Sequence, residues 1–386
     1  MKKVISTGRI PVKMWLEEIE EGALLQAKNL ANLPFAFKHI AIMPDSHVGY
    51  GMPIGSILAT NNVVVPNAVG VDIGCGMCAQ KTALTDIELQ DLKKILGIIR
   101  KTIPVGFNHH DEMQDESLMP DGHEKLFIVN NQYKSARKQI GTLGGGNHFI
   151  EIQKGSDGHI WIMIHSGSRN LGYKVAKHYN KLAQNLNERW FSVVDKSKEL
   201  AFLPIETEEA KNYFDEMTYC IDFALANRKL MMKRVLEAIA EVCGEFETAP
   251  LINKSHNFAA WENHFGKNVI VHRKGATRAF EGELGMIPGS QGTKSYIVRG
   301  KGNPASFKSC SHGAGRKLGR KQAIRELDLK EEIARLEKQN ILHSIRHKSD
   351  LEEATSAYKN IDEVMDNQKD LIDIVVELQP LAVLKG

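Results

Sequence analysis

Apolar positions recur at helical spacing between Trp15 and Leu30, with Trp15, Leu16, Ile19, Ala23 and Ala27 on one side, and this predicts an amphipathic helix. Phe35 to Val71 is patterned differently. It is rich in Gly, Pro and β-branched residues, as in Ile57-Leu58-Ala59-Thr60 and Val63-Val64-Val65-Pro66, which predicts short strands joined by tight turns. A helix is expected over Asp86–Lys101, ended by Pro104, and an exposed polar and acidic loop over Asn108–Glu124. Ile160 to Ile164 reads as a buried strand. Thr207 to Cys243 is the longest helical pattern, one helix or two. Strands are expected at Val269–Val271 and Ser295–Val298, and helices at Leu327–Asn340 and Ile361–Leu378. No internal repeat and no clear linker divides the chain. The chemistry-bearing residues run from position 72 to the C-terminus, which favours one integrated α+β unit over residues 1–386. Its expected core is a mixed or antiparallel sheet, flanked by helices around a central cleft.

Composition changes this picture little. Of the 386 residues 42% are hydrophobic and 25% charged, enough for a packed core without disulfides. No run of about 18 apolar residues predicts a membrane span. Polar residues follow Met1-Lys2-Lys3-Val4-Ile5 too soon for a secretory signal. Five cysteines, an odd number, point to a reducing compartment, and the expectation is a cytoplasmic protein. Net charge is only +3, but its distribution is uneven. Gly292 to Arg325 holds Lys294, Arg299, Lys301, Lys308, Arg316, Lys317, Arg320, Lys321 and Arg325 and no acidic residue. That field suits a polyanion such as RNA, although a solvated basic face has the same composition.

Candidate metal ligands lie in glycine-rich settings. Asp72-Ile73-Gly74-Cys75-Gly76 follows an apolar stretch, so its carboxylate and thiol can meet at one centre. In Gly144-Gly145-Gly146-Asn147-His148 three glycines put His148 on a tight turn. His165 directly follows Trp161-Ile162-Met163-Ile164, where a buried strand delivers its last side chain to a cleft mouth. His256 in Asn253-Lys254-Ser255-His256-Asn257 is a fourth candidate. Any one histidine is more often a hydrogen-bonded structural residue than a ligand, and Cys75 with Cys78 spells a C-x-x-C that a redox or zinc pair would also use. Convergence of thiolate, imidazole and carboxylate favours a metal, and ligand softness alone would select zinc.

Two further segments suit a nucleotide. Pro288-Gly289-Ser290-Gln291-Gly292-Thr293 offers backbone N–H groups and hydroxyls without being a Walker A loop. In Ser309-Cys310-Ser311-His312-Gly313-Ala314-Gly315-Arg316, small residues after His312 can cradle a phosphate and Arg316 can clamp it bidentately. A neutral imidazole, ordinarily titrating at about 6.5, is a competent nucleophile toward phosphorus. The plainer reading is a helix N-cap at Ser311 with an incidental histidine.

Taken together, these strings resemble the RtcB RNA ligase family. The resemblance rests on Met43-Pro44-Asp45-Ser46-His47, Val69 to Gly76, Leu143 to Glu151, His165-Ser166-Gly167-Ser168-Arg169, Pro288-Gly289-Ser290, Cys310 to Arg316 and the terminal Lys385-Gly386, in family order and nearly end to end. It implies that Asp72, Cys75, His148, His165 and His256 hold two Mn²⁺ ions, with Cys75 bridging, which displaces the zinc expectation. It implies that His312 becomes guanylylated. Asn147, His148, Phe149, Ile150, Glu151, His256, Asn257, Pro288, Gly289, Ser290, Gln291, Ser295, His312, Gly313, Ala314 and Gly315 match the GTP-contacting segments, and Lys385 matches a lysine on the guanine. Arg169 and Arg316 are the candidates for binding RNA. Cys78 lies outside the motif and is expected in the core. The acidic Asn108–Glu124 loop departs from the more basic loop expected of bacterial members, which bears on the RNA substrate rather than the chemistry. The implied reaction joins an RNA 3′-phosphate or 2′,3′-cyclic phosphate to a 5′-hydroxyl with GTP, in RNA repair or tRNA splicing, with an archease-like activator as a partner. The rival is a dinuclear metal phosphatase or cyclic phosphodiesterase that acts on RNA ends without GTP.

Overall fold

A computed structural model describes residues 1–386. Two sheets carry the molecule. The first orders Lys3–Ile5, Val12–Met14, Ala36–His47, Ile54–Thr60, Lys267–Lys274 and Asn257–His264. The second orders Ile252–Ser255, Gly76–Lys81, Ile160–Ser166, Phe149–Gly155, Ile372–Lys385, Ser295–Gly300 and Leu284–Ile287. Within them only Val12–Met14 and Ala36–His47 pair in parallel. The edges of the second sheet approach one another through the Lys254–Glu283 ion pair at 2.5 Å, so it curls toward closure. The fold class is α+β, as the patterning predicts.

The chain passes between the sheets at one point of consequence. Ile252–Ser255 ends in the second sheet, and Asn257–His264 begins in the first. His256 is the residue between them, so it stands where the two sheets face each other. Beneath the second sheet runs one unbroken helix, Glu208–Cys243. The Thr207 side chain caps it by accepting from Ala210 N–H, Glu208 and Glu209 complement its dipole, and Gly244 ends it with φ 83°. Tyr213, Met217, Phe223, Met231 and Val235 form its buried stripe.

Several expectations need correction. The predicted Trp15–Leu30 helix begins only at Glu21. Trp15 continues from strand Val12–Met14 and is buried, its indole N–H donating to Asp370 at 2.9 Å. Pro66–Val69, expected as strand or turn, is a short helix with Pro at its start. The predicted Ile361–Leu378 helix stops at Asp366. Ile372–Lys385 is instead a 14-residue strand between Phe149–Gly155 and Ser295–Gly300. Its β-branched run Ile372, Ile374, Val375, Val376 suits a pleated sheet better than a helix. The helices Phe127–Gln139 and Arg169–Arg189 were not anticipated. The Asn108–Glu124 loop is irregular, with only two single-turn 3₁₀ pieces.

Candidate active site

A cavity of about 1170 Å³ opens between the sheets. Its floor is built from four separate segments. Asp72 and Cys75 lie on the turn between helix Pro66–Val69 and strand Gly76–Lys81. That turn needs Gly74 at φ 73°, because a Cβ there would come within 2.9 Å of Ile221 Cα on the long helix. His148 immediately precedes strand Phe149–Gly155, and His165 lies opposite Phe149 in the neighbouring strand. His256 donates its backbone N–H to Cys75 O at 2.8 Å, which fixes the crossover against the Asp72–Cys75 turn.

The donor atoms converge. Cys75 Sγ lies 3.4 Å from His148 Nε2 and 3.3 Å from His165 Nε2. His165 Nε2 is 3.4 Å from His256 Nε2, and His148 Nε2 is 3.2 Å from Asp72 Oδ2. His165 Nδ1 bonds Asn147 O at 3.0 Å, so the N–H is there and the Nε2 lone pair faces the cluster. Burial and neighbouring imidazoles hold His165 and His256 well below the usual histidine range. Burial and Asp72 push the Cys75 thiol well above the usual cysteine range. Asp72 resists the effect of burial through its His148 hydrogen bond and stays below the ordinary carboxylate range. Nδ1 of His148 and of His256 are buried without a partner. Imidazole nitrogens aimed at a thiol that needs a cation to ionise form a donor set that fits a divalent metal. Cys78 is not part of it: its thiol faces Arg228 O at 3.8 Å on the helix side.

His312 stands beside this cluster, its ring 4.7 Å from that of His256. It directly follows strand Ser309–Ser311, which pairs with Ala276–Arg278, so Ser311 caps no helix. The residue that orients it is Asp45. Asp45 Oδ2 accepts from His312 Nδ1 at 2.6 Å, His312 N at 3.0 Å and Gly313 N at 3.2 Å. Asp45 is fully buried, and Gly315 is pressed against it so closely that a Cβ would lie 2.1 Å from Asp45 O. With the proton held on Nδ1, the Nε2 lone pair is left available.

The remaining expected residues divide. Asn147, Phe149, Glu151, Asn257, Pro288, Gly289, Ser290, Gln291, Gly313, Ala314, Gly315, Arg316 and Lys385 line the same cavity. Ile150 packs in the core beneath the sheet, and Ser295 accepts from Gly289 N at 3.2 Å behind the loop, so neither faces the cavity. Arg169 is also outside it, donating to Thr142 Oγ1 at 2.9 Å and Gly106 O at 2.6 Å. At the far end Lys385 lies over the Phe149 ring, 5.5 Å from its centre. Burial raises the Glu151 carboxyl and lowers the Lys385 ammonium there.

The family model described as tRNA-splicing ligase RtcB matches residues 26–126 and 118–386. The RNA-splicing ligase RtcB of Escherichia coli is 36% identical over 416 aligned residues, covering 100% of this chain and 99% of that protein. The tRNA-splicing ligase RtcB of Thermococcus kodakarensis is 31% identical, with 95% of this chain and 92% of that protein covered. That of Nanoarchaeum equitans is 32% identical, with 98% and 95% covered. The chain belongs to the RtcB family of RNA ligases.

Within this RtcB protein the basic span proves to be two regions. Lys294 pairs with Glu377 at 2.6 Å and Lys301 with Asp373 at 2.7 Å, away from the cavity. Arg316, Arg320, Lys321 and Arg325 line the cavity itself. The expected bidentate clamp is engaged elsewhere, because Arg316 bonds the Glu353 carboxylate at 3.1 Å, Leu318 O and Glu352 O. Arg320 shares that carboxylate at 3.2 Å from a half-exposed position. Lys274, also on the wall, donates to Tyr50 O at 2.6 Å and Asn67 O at 3.0 Å, and burial lowers it to about 7. Asp45, Lys274 and Glu353 are not among the residues the sequence singles out for a role, and Arg320 is marked there only as part of the basic span. Asp45 carries a further signal, within Met43–His47.

Proposed function

We propose that this protein seals RNA 3′-phosphate or 2′,3′-cyclic phosphate ends to 5′-hydroxyl ends at the expense of GTP, through a covalent His312–GMP intermediate. The observation that carries this reading is the Asp45–His312 pair beside the Cys75/His148/His165 cluster. Asp45 keeps the proton on Nδ1, and His312 Nε2 attacks the α-phosphorus of GTP. The N–P bond forms as pyrophosphate leaves, and Asp45 stabilises the positive charge on the ring. An oxygen of the RNA 3′-phosphate then attacks the same phosphorus, the N–P bond breaks, and His312 is returned to its neutral form. The 5′-hydroxyl attacks the activated RNA phosphorus, and GMP departs. A cyclic end is first opened in the same cavity by water, which adds to phosphorus as the P–O2′ bond breaks, leaving a 3′-phosphate and a 2′-hydroxyl.

Asp72, Cys75, His148, His165 and His256 would hold two Mn²⁺ ions, which supply charge neutralisation for the phosphates when bound. Glu151 and Lys385 offer the acceptor and donor that a guanine edge requires, with Phe149 beside them. The Pro288–Gln291 and Gly313–Gly315 backbones suit the phosphates and ribose. Arg320, Lys321 and Arg325 at the rim favour the RNA strand, and Arg169 and Arg316 act on it by fixing the walls. All five cysteines are unpaired, in keeping with a reducing cytoplasm. An archease-like activator and either tRNA exons or damaged RNA fit the same chemistry.

The test uses GTP labelled at the α-phosphate with Mn²⁺, followed by denaturation. Wild-type protein should retain acid-labile, alkali-stable label, and His312→Ala should retain none. Absence of label with Mn²⁺, Zn²⁺ and Co²⁺, together with hydrolysis of a 2′,3′-cyclic-phosphate RNA, would replace this reading with a metal phosphodiesterase.

A further inference from the structure

Halfway along the Glu208–Cys243 helix lie Asn227 and Arg228, both without solvent exposure. No carboxylate pairs with the Arg228 guanidinium, and its hydrogen-bond acceptors are all neutral. Nε donates to Asn253 Oδ1 at 2.7 Å, Nη1 to Gly74 O at 2.9 Å and Ser166 O at 2.8 Å, and Nη2 to Ser255 Oγ at 3.3 Å. Burying a cation in this way is costly, and at Arg273 the cost is offset by the Glu262 carboxylate, which Arg228 lacks.

The acceptors explain the placement. Gly74 precedes Cys75, Ser166 follows His165, and Ser255 precedes His256. One planar fork therefore sets the relative position of three backbone segments, each one residue from a candidate metal ligand. Asn227 does the same for the fourth. Its Oδ1 accepts from Gly141 N at 2.7 Å and Thr142 N at 3.2 Å, at the base of the loop leading to His148. Its Nδ2 donates to Ser166 Oγ and Gly167 O on the His165 segment. These four segments come from distant parts of the chain; neighbouring strands of the second sheet bring them side by side, and the two helix residues bond the turns at the strand ends.

We propose that Arg228, assisted by Asn227, is a positioning residue for the metal centre: its guanidinium fork holds Cys75, His165 and His256 at ligand spacing before any ion binds. The inference rests on the metal-binding part of the reading above and not on GTP or RNA. A fork with five N–H donors is required, because the four bonds leave in three directions in one plane. Lysine supplies the charge without the plane. The positive charge also suits a site whose thiol must ionise.

The test is a titration of metal-free protein with Co²⁺, reading the thiolate-to-metal charge-transfer band and the d–d bands, with Mn²⁺ calorimetry beside it. Arg228→Lys and Arg228→Met should each weaken binding by about 10- to 100-fold and diminish the thiolate band. Glu216→Gln is the control for loss of a buried polar anchor. Glu216, twelve residues earlier on the same helix, accepts from Ile128 N, Val129 N and Tyr179 Oη, none of which belongs to a ligand-bearing turn. It should lower the unfolding midpoint and leave Co²⁺ binding as it is. If the Arg228 variants do not fold, Ser255→Ala removes the acceptor of Arg228 Nη2 beside His256, together with the Ser255 Oγ bond to Gly74 O, and should weaken Co²⁺ binding several-fold. Affinity and band unchanged within twofold in the folded variants would overturn the positioning role and leave the metal centre standing. Wild-type protein that binds neither ion would overturn the metal reading itself.

Discussion

One strand carries two clusters that each combine histidine with a carboxylate, one at each end. Before Asn257 stands His256, in the cluster of Asp72, Cys75, His148 and His165. Toward the other end stand Glu262 and His264, which meet Arg273 on the neighbouring strand. In the second cluster the carboxylate and the guanidinium are fully paired. Glu262 accepts from Arg273 at 2.5 and 3.0 Å and from His264 at 2.7 Å, and Arg273 also donates to Ser309 Oγ and Phe307 O. Burial would raise the Glu262 carboxyl, but Arg273 and His264 outweigh it and hold it at about 2. In the first cluster lone pairs face one another, two imidazole nitrogens have no partner, and the thiol is pushed upward. A histidine beside a carboxylate is common to both clusters and does not separate them. Incomplete pairing at the wall of a cavity does.

The largest effects should fall on the incompletely paired cluster. Cys75→Ala is expected to abolish Mn²⁺ binding and GTP labelling while leaving the metal-free unfolding midpoint unchanged or raised, since the buried thiol makes no bond that folding needs. Cys78→Ala, three residues on, should leave both activities intact. Loss of metal binding in the Cys78 variant, read by calorimetry, would put the C-x-x-C reading back in place of the present one. Next comes Asp45→Asn. An amide can accept from His312 Nδ1 but carries no charge to stabilise the ring, so the labelling rate should fall by about 10²- to 10⁴-fold with the KM for GTP little changed. A KM effect alone would make Asp45 a binding residue.

Glu262→Gln is the converse experiment. It strands the buried Arg273 and should cost about 3–5 kcal/mol of stability by urea unfolding. The rate of labelling by the folded protein should not change. A variant that remains folded at the assay temperature yet fails to label would break the distinction between the two clusters.

The first cluster was more legible in the sequence than the second, for a physical reason. Ligands at a cavity wall sit on glycine turns after apolar strands, and Gly74 and Gly144–Gly146 mark those turns locally. Their convergence was not encoded in any window, because the Arg228 fork that gathers them is 154 residues from Gly74. The Asp45–His312 bond spans 267 positions, and Asp45 lies inside a strand whose Ile40 to Met43 stretch is ordinary core. Glu353, which occupies Arg316, is 37 positions away in a segment with no motif. Ile372–Lys385 shows the converse failure, where Ile372 and Val376 imitate helical spacing. Pro380 and the β-branched run were the local signals for a strand, and the bulge between Pro380 and Ala382 accommodates the proline.

The smallest expected effect is a pH dependence of stability that separates a closed site from an open one within the histidines. His272 lies on the same strand as Arg273, fully buried. Its Nδ1–H donates to Leu58 O at 3.1 Å, and its Nε2 accepts from Val65 N–H at 3.0 Å. Both ring nitrogens are therefore used by the neutral form, and protonation would set two N–H groups against each other. Burial lowers this histidine from 6.5 to about 4. The folded state thus refuses a proton that the unfolded chain accepts below about 6.5. Its contribution is fully present above pH 6.5 and is lost as pH falls through about 4, amounting to about 3 kcal/mol. His272→Gln should be less stable than wild type at pH 7, and the gap should narrow steadily down to pH 4 in urea titrations. A gap that stays constant across that window would mean that His272 is held by packing rather than by its tautomer.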